Sequence, residues 1–351
     1  MNPLIELTTS RHNPLIDPQV HIWGWQIAIY LFLGGLVAGL MIIAGVRLIA
    51  ERPKQREALV CCTIGPLLGL FFLSLGMFML FLDLEGKWNV WRLYTTFQIT
   101  SPMSWGSWIL LLVYPALGAN ALAHLPESIP VLAKRFPVLV HWSDYIMAHG
   151  RLVLGIGLTN MAVGIGLGVY TGILLGTLGS HPLWNSALLG PLFLLSGLSS
   201  AAALLHGILI LHMPDDQRPA FADFLLSSLA QFIEANPLDT RIAPTLAGAD
   251  NSFITLEAVL LALFLIGHAT STAVHKQAAA LLLGGPYTAV FWVCIVGLGI
   301  AVPLILQTLE LTNRIRHSLV PSVLVLFGGL ALRFVMVYAG QQSNWLMAFN
   351  R

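Results

Sequence analysis

Long apolar blocks alternate with short polar connections along most of this chain. An apolar run of about 20 residues crosses the roughly 30 Å hydrocarbon core of a bilayer as one α-helix. The pattern therefore predicts an all-α fold, a polytopic membrane protein of eight transmembrane helices. The predicted spans are 22–46, 58–82, 101–123, 152–178, 187–211, 252–274, 287–309 and 318–340.

Small residues recur at helical spacing within these spans, which favours close contact between helices. Gly35 and Gly39 lie four residues apart in the first span, and the fourth span carries a glycine ridge at positions 164, 168, 172 and 176. The segment LGGLVAG at 33–39 is echoed by LSGLSSA at 195–201. Either composition alone explains this echo, or a four-helix unit has been duplicated.

The duplication hypothesis divides one membrane domain, residues 1–351, into two four-helix bundles. The first bundle spans 22–178 and the second spans 187–340, with a long connection at 213–251. Within that connection, apolar residues between 221 and 233 trace a helical stripe. This stripe predicts a helix that lies in the membrane interface.

Composition supports a membrane protein, because 57% of the 351 residues are hydrophobic and only 9% are charged. The net charge is +1 and no basic run is present, so nucleic acid is excluded as a partner. Residues 1–20 are mostly polar and contain prolines, unlike a cleavable signal peptide. The first span is therefore expected to remain in the mature protein.

The three cysteines, Cys61, Cys62 and Cys294, all fall within apolar blocks. Their spacing matches no zinc or iron–sulfur ligand set. We interpret them as packing residues and predict no metal site.

The orientation follows from lysine and arginine in the connections. Eleven basic residues follow spans one, three, five and seven, whereas five lie on the opposite side. Positively charged connections stay in the cytoplasm, so both termini are predicted to be periplasmic. The expected location is the cytoplasmic (inner) membrane of a bacterium or archaeon.

With this orientation, polar groups from five spans are predicted to share one depth near the outer face. Insertion of an arginine into the membrane costs roughly 2.5–3.5 kcal/mol unless the charge is paired. Asp83 is the expected counter-ion of Arg333 if spans two and eight adjoin. The residues at this depth are His21, Gln26, Asp83, Glu85, Ser101, Trp105, His268, Arg333 and Gln341.

A quinone suits such a place, because its carbonyls need hydrogen-bond partners such as His21. Its ring needs flat apolar walls, which Trp23, Trp25 or Trp105 would provide, and its tail needs lipid. Quinol oxidation also releases two protons, for which Asp83 and His21 are the candidate acceptors.

Structural explanations compete with this interpretation. Tryptophans at span ends commonly anchor a helix at the interface, and His21 would equally suit the headgroup region. Arg333 would also suit a purely structural ion pair.

On the predicted inner side, Glu257, His206 and Asn160 are candidates for a proton path from the cytoplasm. Glu257 stands five residues into the predicted sixth span, so the alternative is that it faces the headgroups.

Several motifs carry a family resemblance. The protein resembles the NrfD-like membrane subunits typified by polysulfide reductase, and the matching stretches extend over most of its length. These stretches are WGWQIAIYLFLGGLVAG at 23–39, DLEGKW and WRLYTTF within 83–97, SPMSWGSW at 101–108, GPLFLLSGLSSAAALLHG at 190–207 and GGLALRFVMVYAGQ at 328–341.

The resemblance implies an eight-helix anchor that binds a quinone (menaquinone or ubiquinone) near the outer face, without haem or an iron–sulfur cluster of its own. It implies a ferredoxin-like iron–sulfur subunit as electron partner and a catalytic subunit of molybdopterin or multihaem type, both periplasmic. It points to His21 for the quinone carbonyl, together with Asp83, Trp105 and Arg333. One departure is Gln26, where many relatives have glutamate.

Two alternatives from other classes stay open. A di-haem cytochrome b anchor needs facing pairs of axial histidines, whereas the spans contain only His206 and His268. A secondary transporter or channel-like protein is compatible with eight spans and a faint repeat, although the predicted polar residues gather at one face.

Overall fold

The computed structural model describes residues 23–50, 60–84, 86–178, 181–211, 242–312, 314–315 and 318–343. Within these ranges eight helices are long and apolar enough to cross a membrane, which confirms the predicted all-α fold and the number of spans. They are α1 (Trp25–Ala50), α2 (Val60–Asp83), α3 (Pro102–Ala123), α4 (Gly150–Gly176), α5 (Leu189–Leu211), α6 (Ala243–Thr270), α7 (Val290–Leu311) and α8 (Val320–Gln342).

Helix α6 begins at Ala243, nine residues before the predicted start at Ser252. The polar residues that suggested a boundary are paired with α7. Asn251 Nδ2 donates to Thr308 Oγ1 at 3.2 Å, and Gln307 Nε2 donates to Asp250 Oδ2. Because a neighbouring helix satisfies these groups, the helix continues through them.

Shorter helices cover the connections among the described residues. Three of them lie on the predicted cytoplasmic side, between α3 and α4, and have proline in the first turn. A backbone N–H at that position has no partner within the helix, so its absence in proline costs no hydrogen bond. The short elements are the 3₁₀ turns Lys87–Asn89 and Pro182–Trp184 and the helices Arg92–Thr95, Leu125–Ser128, Pro130–Arg135, Pro137–Ala148 and Ala273–Leu283.

Helices α1 and α5 cross at the centre of the fold with their backbones in contact. A Cβ on Gly39 would lie within 3 Å of the Gly197 carbonyl, and a Cβ on Gly197 would meet the Gly35 carbonyl just as closely. The close approach predicted from Gly35 and Gly39 is therefore confirmed. The glycine ridge of α4 likewise packs on backbone atoms of α1 and α5.

The two echoed segments face each other at this crossing, since Gly35 and Gly197 occupy equivalent positions in them. Helix α4 packs on α5, and its counterpart α8 packs on α1. Reciprocal contacts of this kind are those that a two-fold related pair of bundles would make. The division into two duplicated bundles nevertheless stays a prediction.

Several predictions fall outside the described residues. These are the interfacial helix between 221 and 233, His21 and Glu85, and the positions of both termini. The periplasmic orientation also stays a prediction, and "outer" below means the side it assigns to the start of α1.

Candidate functional site

A small, mostly apolar cavity of about 80 Å³ opens at the outer end of the helices. Helix α1 contributes one wall, and the remaining walls come from α2, α3, α4 and the short helix Arg92–Thr95 between them. The lining residues include Trp23, Ile27, Tyr30, Tyr94, Ser107 and Tyr170.

Trp23 forms the outer wall of this cavity and is held from two sides. Its backbone N–H donates to Gln341 Oε1 at 3.0 Å, and its carbonyl accepts from Gln341 Nε2 at 2.9 Å. Its ring lies 5.5 Å from that of Trp184, whose Nε1 donates to the Met336 carbonyl at 2.7 Å. Helix α8 and the Pro182–Trp184 turn therefore hold the Trp23 ring in place.

Three tyrosines contribute phenol groups to the apolar cavity. Tyr30, Tyr94 and Tyr170 all line it. Tyr170 reaches this position across Gly106, because a Cβ on that residue would overlap the Tyr170 ring. Each phenol can donate or accept a hydrogen bond, so the cavity can bind a flat apolar molecule that carries oxygen atoms.

Tyr94, on the connection outside the spans, is half-buried beside the cavity. Burial raises the pKa of Tyr94 above its ordinary value of 10.0, and the neighbouring Tyr114 acts in the same direction. A raised pKa keeps the phenol protonated, and thus a hydrogen-bond donor, throughout the neutral range.

Sequence reasoning missed these tyrosines, although one signal was available. Trp23, Ile27 and Tyr30 follow each other at the spacing of one helix face, which predicts that they share a wall. Tyr170 offers no such signal, because the packing of α4 across Gly106 brings it to the cavity.

The predicted aromatic walls divide into two groups. Trp23 is buried and lines the cavity. Trp25 is 47% exposed and Trp105 is 42% exposed, and neither lines it. Their exposed positions near the outer helix ends are typical of interface anchors.

Gln26 and Asp83 lie together at the rim. Gln26 Oε1 turns back against Gly24, and the half-buried Asp83 carboxylate forms a hydrogen bond with the Gly24 backbone. Asp83 adjoins Leu84, which lines the cavity. The structure thus brings one predicted proton acceptor to the edge of the cavity.

Arg333 lies elsewhere, about 12 Å along α8 from Gln341. Its Nη2 donates to the Phe193 carbonyl at 2.9 Å, and its guanidinium sits over the Phe193 ring at 3.9 Å. Its acidic neighbour is Glu257. The predicted pairing with Asp83 is wrong, because α8 packs mainly on α1, α5 and α7.

Glu257 is also deeper than its predicted position allowed. It lies about 21 Å along α6 from Ala243, is buried, and accepts a hydrogen bond from Ser199 Oγ at 3.0 Å. The alternative that Glu257 faces the headgroups is therefore wrong. Glu257 and Arg333 are thus both buried and interact electrostatically, although Arg333 Nε and Nη1 have no hydrogen-bond partner among the described residues.

A second buried acid, missed in the sequence, lies on the same helix. Asp250 is two helical turns before Glu257, within reach of its electrostatic field, and is bonded to Gln307. Its Oδ1 and the Gln307 Oε1 have no hydrogen-bond partner among the described residues. Buried polar atoms of this kind commonly bind water.

The other two residues of the predicted proton path, His206 and Asn160, lie in different parts of the fold. His206 is buried on α5, two turns beyond Ser199. Asn160 instead lies between α3 and α4, where its Nδ2 donates to the Ala116 carbonyl at 2.9 Å. Asp250, and not Asn160, therefore lies in line with Glu257 along α6.

His268, predicted near the outer face, is buried. Its Nδ1 bonds to the Phe264 carbonyl at 2.9 Å and its Nε2 bonds to the Pro182 carbonyl at 3.3 Å. These hydrogen bonds join α6 to the Pro182–Trp184 turn.

Among the described residues, no group of three or more His, Cys, Asp and Glu side chains is arranged to hold a metal ion. Cys61 and Cys62 are buried in α2, and Cys294 is half-buried in α7, which agrees with packing roles. The absence of haem and iron–sulfur clusters stays a prediction.

Comparison with known families identifies the family of this chain. Residues 13–343 match the family described as "Polysulphide reductase, NrfD". The chain belongs to the NrfD family. The match runs across all eight spans, and the resemblance predicted from the motifs is confirmed.

Curated relatives of this NrfD-family protein match nearly its whole length. It is 30% identical to the C subunit of polysulfide reductase from Wolinella succinogenes, over 91% of this protein and 94% of the relative. It is 30% identical to protein NrfD of Escherichia coli over 91% and 95%. It is 28% identical to a protein NrfD homolog of Haemophilus influenzae over 95% and 99%.

Proposed function

We propose that this NrfD-family protein is the quinone-binding membrane anchor of a multisubunit respiratory oxidoreductase. It passes electrons between the membrane quinol pool and a periplasmic iron–sulfur subunit. The supporting observation is the apolar cavity beside the outer end of α1, with phenol groups on its walls. A quinone ring combines the same flat apolar surface with oxygen atoms at its edge.

In this proposal the ring packs beside Trp23 and its oxygens bond to tyrosine hydroxyls. Oxidation of the quinol to the quinone releases two electrons and two protons. The electrons leave to the partner's cluster, and the protons leave through Asp83 at the rim and through His21. Positioned acceptors of this kind are needed because proton transfer accompanies the oxidation.

A quinone-analogue titration tests this site. Tyr94→Phe removes one hydroxyl and keeps the ring, so we expect affinity to fall roughly two- to tenfold, the factor for one hydrogen bond of about 0.5–1.5 kcal/mol. The measurement is quenching of intrinsic tryptophan fluorescence by the analogue. Tyr145→Phe is the matched control, because Tyr145 is exposed on the opposite side.

Because burial raises the pKa of Tyr94, binding should stay constant from pH 7 to about pH 10, where an ordinary tyrosine would be about half deprotonated. Equal affinities for wild type and Tyr94→Phe would remove this hydroxyl from the site. Equal affinities for wild type and His21→Ala would show that His21 is not part of the site, and would leave the other proposed contacts in place.

An exposed aromatic segment lies beside the cavity mouth, between α2 and α3. Trp88 is 93% exposed, and Trp91, Phe97 and Ile99 are exposed as well. Exposed apolar patches commonly mark binding surfaces, and tryptophan is enriched among the residues that dominate binding energy. We assign this segment to the ferredoxin-like iron–sulfur subunit, whose cluster must lie near the quinone.

Replacing both Trp88 and Trp91 by serine should weaken binding of the iron–sulfur subunit about 30-fold, the factor for about 2 kcal/mol at an interface hot spot. Quinone-analogue affinity should stay unchanged. Trp142→Ser is the control, because Trp142 is similarly exposed on the opposite side. If the double variant binds the subunit as well as wild type does, the interface lies elsewhere on the protein.

The family relatives support a partner complex, because one of them is a subunit of polysulfide reductase. In our proposal the catalytic subunit, of molybdopterin or multihaem type, receives electrons through the iron–sulfur subunit. Solute uptake by vesicles that contain this protein alone would contradict the proposal and favour a transporter.

Proton translocation is a further part of the proposal. The buried acids Asp250 and Glu257 lie about 10 Å apart along α6, with Gln307 beside the first and Arg333 beside the second. Intramembrane ionisable residues in such a row commonly relay protons. We propose that they form a path from the cytoplasmic side towards the centre of the membrane.

A further inference from the structure

A second cavity, of about 430 Å³, lies between α3 and α4 on the opposite side of the membrane from the proposed quinone site. It is a mostly apolar groove that follows α4 from Arg151 to Val163 and α3 from Ala119 to Leu112. Arg151 to Val163 is about 18 Å along a helix. Half the hydrocarbon thickness of a bilayer is about 15 Å, so the groove runs from the surface to the midplane.

The groove has a positive charge at its surface end. Arg151 is exposed, in the first turn of α4, where the helix dipole also favours an anion. Lys134 and Arg135 are exposed on the same side, in the helix Pro130–Arg135. By the distribution of basic residues this side faces the cytoplasm, where the leaflet carries anionic lipids.

The deep end of the groove contains one buried amide side chain. Asn160 is buried there, and its Nδ2 donates to the carbonyls of Ala116 and Ile156. Its Oδ1 accepts no hydrogen bond among the described residues. The side chain therefore presents an acceptor, which a hydroxyl group could meet but the carbonyl oxygen of a quinone could not.

We propose that this groove is a specific binding site for an anionic phospholipid. The phosphate lies at Arg151 and the first turn of α4, and one acyl tail follows the groove past Gly155 towards Val163. The length of the groove matches a tail that reaches the midplane, and the charge is confined to the end where a headgroup lies. The site is distinct from the outer cavity and does not depend on the proposed quinone function.

Two variants separate the headgroup from the acyl tail. Arg151→Gln removes the charge and leaves the groove open. Gly155→Leu fills the groove, and it should fold because a Cβ at Gly155 meets no atom within 4 Å. Arg135→Gln, outside the groove, is the charge control. Gly166→Leu is the steric control, since Gly166 on the same helix also faces open space.

The measurement is native mass spectrometry of the full-length protein, with its co-purifying subunits, in micelles that contain equal amounts of phosphatidylglycerol and phosphatidylcholine. Wild type should retain one phosphatidylglycerol in preference. Arg151→Gln should lower that preference about fivefold, the factor for about 1 kcal/mol per basic side chain at a membrane surface. Gly155→Leu should lose retention of both lipids, and both controls should match wild type.

Equal retention of the two lipids by wild type would overturn the proposal, as would unchanged retention in Gly155→Leu. Displacement of the lipid by soluble glycerol phosphate would show a site for a free anion only. Displacement by a menaquinone analogue would show a second quinone site. Either result would also overturn the assignment to a phospholipid.

Discussion

Glu257→Gln is expected to destabilise the fold by about 3–5 kcal/mol, because it leaves the Arg333 charge buried without its acidic partner. Arg333→Met should cost less, about 1–3 kcal/mol, the penalty of one unsatisfied buried group. The asymmetry arises because a carboxyl can bind a proton and become neutral, whereas a guanidinium keeps its charge. The measurement is the midpoint of unfolding during titration with a denaturing detergent.

The double variant Glu257→Gln with Arg333→Met closes a thermodynamic cycle. If the two groups interact as the structure indicates, the double variant should be more stable than the sum of the single effects predicts. Additive effects would show that the pair is not coupled. Asp83→Asn is the control for an acid that is distant from Arg333, and its effect should add to that of Arg333→Met.

Gly197→Leu is expected to prevent α1 and α5 from packing, with a loss of more than about 3 kcal/mol, above the usual range for overpacking. The Cβ would meet the carbonyl of Gly35, and a backbone group in a long helix cannot rotate away as a side chain would. The expected result is little folded protein after solubilisation, measured by size-exclusion chromatography with fluorescence detection.

Gly166→Leu supplies the matched comparison, since it adds the same side chain to a glycine that faces open space. Its effect should stay within about 0.5 kcal/mol, as for other substitutions away from packed features. A Gly197→Leu protein that elutes and melts like Gly166→Leu would contradict the close crossing of α1 and α5.

The spans were predictable because each is a long apolar run, and a bilayer demands little more of a spanning segment. The start of α6 was not predictable, since Asp250 and Asn251 resemble a headgroup boundary until Gln307 and Thr308 of α7 are placed beside them. Whether a polar residue ends a helix depends here on its neighbour in space.

The site shows the same limit. Sequence gives the depth of a residue along its helix but leaves the neighbouring helix undetermined, so Arg333 was assigned to Asp83 instead of Glu257. Trp23 and Trp25 were equally plausible walls, and only the rotation of the entry to α1 separates the buried ring from the exposed one. Tyr170 required the packing of α4 against Gly106.

The two hydrogen bonds between Trp23 and Gln341 join the first spanning helix to the last. Because α8 is synthesised after the other seven helices, Trp23 cannot form these hydrogen bonds until α8 has been made. The Trp23 wall of the cavity is therefore fixed only when α8 has packed against the entry to α1.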